Sequence, residues 1–154
     1  MKAVVQRVID AQVSVDRLVG SIDYGLLVYL GVAVDDTFDD ADWLAKKIPN
    51  LRIFNDLQGK MNLSLVDIIR DNTADKAGIL AISQFTLMGD ARKGRRPSWT
   101  KAASPDKANE LYLYFIDKIK EQNLLCECGE FQAAMKVKYT NDGPVTIILD
   151  SREN

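Results

Sequence analysis

The sequence predicts an α/β fold, a single domain in which two long helices pack on a mixed β-sheet, and three observations lead there. Two almost unbroken apolar runs, Leu26 to Val34 and Gly78 to Leu87, have the β-branched and aromatic character of strands buried on both faces. Two segments carry apolar residues at helical spacing behind recognisable start signals, after Thr37 and after Ser104-Pro105. The remaining apolar segments alternate with polar residues at the two-residue period of half-buried strands. With 154 residues, 47% hydrophobic and 27% charged, the chain has the size and make-up of one globular domain spanning residues 1–154.

Lys2 to Val8 is expected as a strand and Gln12 to Asp16 as a second. Gly20 and Gly25 punctuate turns before the Leu26 run. Thr37 caps a helix, with Asp40 in capping-box position and Asp39 where the helix dipole favours an acid. Ala41, Leu44, Ala45 and Ile48 form its buried stripe, and Pro49 ends it. Leu51 to Phe54 is a short strand followed by a turn at Asn55, Asp56 and Gly59. Asn62 to Arg70 fits either a strand or a loop with a helical turn, and Asp71 to Lys76 is polar and expected on the surface. The Gly78 strand ends in Ser83, Gln84 and Thr86, then gives way to a Gly- and Arg-rich loop from Gly89 to Pro97. Ser104-Pro105 opens the second long helix, whose Ala108, Leu111, Tyr112, Phe115 and Ile119 face the core. Leu124 to Cys128, Met135 to Thr140 and Val145 to Asp150 complete seven or more strands, the last two joined across a turn at Asn141-Asp142-Gly143-Pro144.

The formal net charge of −2 gives no global attraction to nucleic acid, so any such contact must come from a local patch. Arg7 and Asp10 interrupt the N-terminal apolar positions, so a secretion signal is not expected. Leu26 to Val34 is far short of the roughly 20 residues that span a bilayer. A cytoplasmic protein without membrane contact is the expectation. Cys126 and Cys128 stand two apart on one strand, which points them to one face on a backbone too extended to favour a disulfide, and no further soft or imidazole metal ligands lie nearby. They are read as plain reduced thiols, and no metal or cofactor is expected. The absence of histidine has more weight. It removes the Ser-His-Asp triad, the Cys-His pair and the imidazole base, leaving carboxylates, hydroxyls, backbone dipoles or the substrate's own groups for any catalysis.

Four features could carry chemistry. Ser83, Gln84, Phe85 and Thr86 place hydrogen-bonding side chains abruptly after an apolar strand, where sites collect in α/β proteins, although a strand simply meeting solvent has the same pattern. Asn141-Asp142-Gly143-Pro144 is a turn by composition, yet Gly-Pro can adopt the cis bond and glycine admits close approach to the backbone. Arg92, Lys93, Arg95 and Arg96, followed by Trp99 and Lys101, suit phosphate contacts plus base stacking, or an ordinary solvated loop. Arg7, inside an apolar strand, either faces solvent or locks neighbouring carbonyls with its forked donors.

Ser83-Gln84-Phe85-Thr86-Leu87 and Asn141-Asp142-Gly143-Pro144-Val145-Thr146 resemble the two signature motifs of the D-aminoacyl-tRNA deacylase family. The likeness extends, in order, through Ala3-Val4-Val5-Gln6-Arg7-Val8, Gly25-Leu26-Leu27, Asn50-Leu51-Arg52-Ile53-Phe54, Gly59-Lys60-Met61-Asn62-Leu63-Ser64 and Arg92-Lys93-Gly94-Arg95-Arg96-Pro97-Ser98. The resemblance implies a barrel-like sheet core and a homodimer with its active site at the subunit interface. It also implies hydrolysis of the ester joining a D-amino acid, or glycine mischarged on tRNA(Ala), to the 3′ end of tRNA. By the same resemblance Gly143-Pro144 forms a cis bond, enters the other subunit's pocket and excludes L side chains. Arg7 orients that motif from behind, Met135 lines the pocket, and Ser83, Gln84, Phe85 and Thr86 form the catalytic segment. Arg92, Lys93, Arg95 and Arg96 are expected to bind tRNA. The chain departs from the family pattern at Gln132-Ala133-Ala134 and in a longer Ile69 to Lys76 segment.

For the reaction, Thr86 lacks an adjacent activating base, and Asp142 is the one acid within either motif. The favoured route has the 2′-hydroxyl of the terminal ribose assist attack by water, with backbone N–H groups near Phe85 and Thr86 stabilising the oxyanion and Phe85 placing the adenosine. A non-catalytic RNA-binding module using the basic loop 92–101 is the alternative.

Overall fold

The computed structural model describes residues 1–71 and 76–153. Strands β1 (Lys2–Ser14), β2 (Leu18–Gly31), β5 (Ala77–Ser83), β6 (Leu125–Cys128) and β7 (Lys136–Asp150) form one sheet in the order β6-β5-β2-β1-β7. β1 pairs antiparallel with β2 and β7, whereas β2–β5 and β5–β6 are parallel. Helices α1 (Phe38–Lys47) and α3 (Pro105–Lys120) make the crossovers that parallel pairing requires. A small hairpin of β3 (Phe54–Asn55) and β4 (Met61–Leu63) and a short helix α2 (Leu65–Arg70) fill the first crossover.

The helix signals operate as read. Thr37 and Asp40 make a capping box on α1, and Ala41, Leu44, Ala45 and Ile48 are buried. Leu111, Tyr112, Phe115, Ile116 and Ile119 of α3 join them in one core between helices and sheet. A second apolar cluster, including Val8, Ile22, Leu27, Leu80 and Ile82, lies apart from it, with Met135, Val137 and Tyr139 packed on it. A Cβ on Gly20 of β2 would stand 2.9 Å from the Cys128 carbonyl of β6, so the sheet curls into the barrel-like form expected.

Several boundaries differ from expectation. Lys2–Ser14 is one strand, not two: Asp10 turns the chain at φ 54°, but pairing on both sides carries the ladder past it. Gly20 and Gly25 lie within β2 rather than in turns, and Gly25 faces Gly78 across the parallel ladder, where the backbones pass closely. The open segment 62–70 resolves into β4 and α2, the helix held by a capping box in which Ser64 and Asp67 satisfy each other's backbone N–H. Leu51 to Phe54 contributes only its last residue to a strand. β5 stops at Ser83, and Phe85–Met88 form a 3-10 turn rather than more strand. In the segment from Asp71 to Lys76 both end residues are exposed, and 72–75 lie outside the described residues. The largest correction concerns 141–144: these residues join no hairpin but sit inside β7, which runs unbroken from Lys136 to Asp150.

Candidate active site

β5 ends where the parallel ladder runs out. The Gln84 N–H makes a last 2.8 Å bond to the Leu30 carbonyl, and Gln84 then leaves the extended range at ψ 80°. The turn that follows places Ser83, Gln84 and Phe85 on the wall of a cavity of about 600 Å3. Val137 of β7 and Met135 just before that strand close it on one side, and Ala108 and Tyr112 from α3 on another. The Tyr112 hydroxyl donates to the Ala81 carbonyl at 2.9 Å, and burial pushes its pKa up, so this phenol is a strut and not an acid. Gln132, at φ 64°, stands at the wall with its neighbours Phe131 and Ala133. No charged side chain and no thiol lines the cavity among the described residues.

Thr86 is beside this cavity and not among its lining residues. Its hydroxyl accepts a 2.5 Å hydrogen bond from the Gln84 amide. An amide N–H is a donor and cannot remove the hydroxyl proton, so the geometry leaves Thr86 unactivated. The Phe85 and Thr86 N–H groups donate to no backbone carbonyl among the described residues, as expected at the start of a helical turn. Both thiols lie elsewhere, on β6, and burial pushes Cys126 up to about 12, far from the thiolate that nucleophilic work needs.

The basic loop adjoins the site through an aromatic contact. Asp90 and Ser98 exchange two 2.9 Å backbone bonds that close the loop, and Trp99 meets Phe85 edge-on with ring centroids 5.2 Å apart. Lys93, Arg95 and Arg96 are exposed. Arg92 is committed: its guanidinium clasps Asp90 and holds that carboxyl well below the usual range.

The Asn141–Thr146 motif makes a bulge. Gln6 pairs with Thr146 and Val8 with Asn141, so four residues of β7 stand opposite Arg7 alone. Asn141 spans the gap: its Oδ1 accepts the Val145 N–H at 3.2 Å and its Nδ2 donates to the Thr146 hydroxyl at 3.2 Å. Gln6 donates to the same hydroxyl at 3.0 Å. Gly143 and Pro144 are exposed at the crest, joined by a cis peptide bond, with Gly143 at φ 119°. Arg7, only 5% exposed, sits beneath. Its Nη1 donates to the Ile53 carbonyl at 2.6 Å, and its Nε lies 2.8 Å from Asp142 Oδ2 in an ion pair not aligned as a hydrogen bond. Nη2 would touch a Cβ on Gly143 at 2.8 Å. Val137, on the cavity wall, lies four strand residues before Asn141, so the bulge begins about 13 Å along β7 from the cavity of its own chain.

The sequence therefore located the cavity segment, Met135 and the Arg7–Gly143 contact, and the structure keeps the first and last apart. It did not reveal Asn141, Thr146 and Asp142 as the fastenings of the bulge, nor Tyr112 and Ala108 of α3 as cavity wall. The polar residues bracketing Gly143-Pro144 were the available signal. Arg52 explains two further quoted segments, since it donates to the Asn62 carbonyl at 2.7 Å and ties the 50–54 stretch to the 59–64 stretch.

Residues 4–150 match the family model described as D-Tyr-tRNA(Tyr) deacylase. Curated relatives named "D-aminoacyl-tRNA deacylase" from Thermosipho melanesiensis and Kosmotoga olearia are each 57% identical over 155 residues, covering 99% of both chains. A solved structure titled "c-Myc DNA Unwinding Element Binding Protein" superposes with a TM-score of 0.86 at 37% identity, covering 97% of this chain and 98% of that one. Another, of a probable eukaryotic D-amino acid tRNA deacylase, has a TM-score of 0.76 at 16% identity over 96% of this chain and 97% of its own, a likeness of fold.

Proposed function

The chain belongs to the D-Tyr-tRNA(Tyr) deacylase family, and from that premise we propose that it hydrolyses the ester between a D-amino acid and the 3′-terminal adenosine of tRNA. The observation that carries this reading is the cavity at the end of β5. It is large enough for a nucleoside, lined by Ser83, Gln84, Phe85 and Met135, and free of charged side chains.

A cavity without acid, base or thiol leaves the chemistry to positioning, to backbone dipoles and to the substrate. An aminoacyl ester is already labile, and holding it correctly supplies several kcal/mol of the barrier. The 2′-hydroxyl of the terminal ribose assists the attacking water, and the uncommitted N–H groups of Phe85 and Thr86 take the developing negative charge. Thr86 serves through its backbone, its hydroxyl being occupied by Gln84.

Chirality is read by Gly143-Pro144. The crest stands too far from its own cavity, which supports a homodimer in which each copy's bulge enters the other's cavity. Arg7 and Asp142 hold the crest from below. A filter that excludes an L side chain by contact has nothing to reject in glycine, so glycyl-tRNA mischarged on tRNA(Ala) is a second substrate. The exposed cations Lys93, Arg95 and Arg96 hold the acceptor strand's phosphates, and the site of action is the cytoplasm. No helix among the described residues is long and apolar enough to cross a membrane.

The test follows ester loss from D-tyrosyl-, L-tyrosyl- and glycyl-tRNA with purified protein. The expected result is turnover of the D and glycyl esters with the L ester spared. Binding of all three without turnover would favour the RNA-binding alternative, and equal hydrolysis of the D and L esters would remove the filter.

A further inference from the structure

Trp99 is one of the large hydrophobic side chains left exposed, at 40%, and the neighbouring Phe85 is exposed at 57%. The two rings meet at 68° with centroids 5.2 Å apart. Phe85 belongs to the cavity wall and Trp99 does not, so Trp99 lies just outside the rim. Its position is built: the Asp90–Ser98 bridge ends one residue before it, its carbonyl accepts the Ala102 N–H at 2.9 Å, and its indole rests on Gly89, where a Cβ would clash at 2.6 Å. On its other side begins the loop with Lys93, Arg95 and Arg96, none of them ion-paired among the described residues. Cavity, Phe85, Trp99 and cationic loop thus form one continuous path. Two exposed aromatics that cannot lie parallel, leading into exposed cations, are the surface a splayed single strand requires: rings for successive bases and charges for the phosphates.

Resting on the tRNA reading above, we propose that Trp99 is a second stacking station, which takes the base of the nucleotide immediately preceding the terminal adenosine. Phe85 receives the adenosine at the rim, and the next base leaves the strand's stack to lie on the indole. The aminoacyl end is thereby registered by two bases, and the enzyme favours an acceptor strand over a free aminoacyl nucleoside. A purely structural role is the competing account: Trp99 buttresses Phe85 and touches no substrate.

Two short substrates separate these accounts, D-tyrosyl-adenosine and D-tyrosyl-cytidylyl-adenosine, compared on the wild type and on Trp99→Ala and Trp99→Phe. Stacking one base is worth about 1–3 kcal/mol. The wild type is therefore expected to show kcat/KM about tenfold higher on the dinucleotide ester, mainly through KM. Trp99→Ala erases that gain while hydrolysing the mononucleotide ester as the wild type does, and Trp99→Phe restores most of it. Equal losses on both esters in Trp99→Ala, or no dinucleotide gain in the wild type, overturn the stacking station. A wild type that hydrolyses neither ester nor D-tyrosyl-tRNA overturns the deacylase reading beneath it, a different result from either.

Discussion

The cavity at the end of β5 and the bulge on β7 are built on opposite plans. The cavity is concave, walled by side chains from β2, β5, β7 and α3, and its lining draws on residues of both apolar clusters. The bulge is convex, its crest presents main chain and a proline ring to solvent, and polar side chains fasten it one hydrogen bond at a time. On the proposed reading one is a socket, without charged side chains or thiols among the described residues, and the other a plug held away from its own socket. The contrast separates two tasks. On the proposed function, binding volume comes from packing, while fine discrimination falls to backbone that a side-chain substitution disturbs only indirectly.

That division predicts a graded set of effects. Gly143→Val strikes the plug itself: its Cβ meets Arg7 and Val145 at 2.8 Å, at a φ that disfavours any side chain. The strain costs about 1–3 kcal/mol, tolerable for a domain stable by about 5–15, whereas misplacing the crest should cut D-tyrosyl-tRNA hydrolysis about 100-fold. Near-normal kinetics in a folded variant would detach the bulge from function. Arg7→Met removes the support from beneath. It should lower stability by about 1–3 kcal/mol, because the Ile53 carbonyl loses its partner, and it should narrow the ratio of D to L hydrolysis while binding of uncharged tRNA stays unchanged. Thr86→Ala touches the socket's edge and should leave kcat within about threefold of wild type, against the losses of 100-fold or more that removing a nucleophile or its base causes. An acyl adduct trapped on Thr86 would contradict this.

The smallest effect concerns pH. Burial alone would raise Asp40, but hydrogen bonds from Ser151 and Thr37 outweigh it, and Ser64 likewise holds Asp67 low. A carboxyl depressed in the folded state stabilises at pH above its unfolded value and loses that contribution as pH falls through the folded one. The urea midpoint should therefore be level from pH 7 to about 5 and slide below about 4. A slide that began near pH 6 would point to other groups.

Local signals were legible where a single segment determines its own structure. Thr37 with Asp40, and Ser104 with Pro105, announced α1 and α3, and the stripes behind them named the buried residues. Ser64 with Asp67 made the same statement for α2, overlooked because its helix has only six residues. What was lost depended on partners distant in sequence. Asn141-Asp142-Gly143-Pro144 has the composition of a hairpin turn, and only the pairing of β7 with β1 on both sides of Arg7 converts it to a bulge. The same holds at the cavity: Ser83 to Phe85 could be marked from polarity, but Ala108 and Tyr112 read as core stripe because nothing local says that the core opens there.

The bulge has a consequence for the sheet's margin as well. Among the described residues β7 pairs only with β1 and so leaves a fifteen-residue strand with an open edge, long enough to recruit an unpaired strand from a misfolded neighbour. The four looped-out residues divide that edge into two short, misaligned stretches, Pro144 offers no N–H, and Lys136 and Lys138 add charge to one of them. A strand could not extend the ladder across the break without losing register, so the same few residues that form the crest also blunt this open border of the sheet.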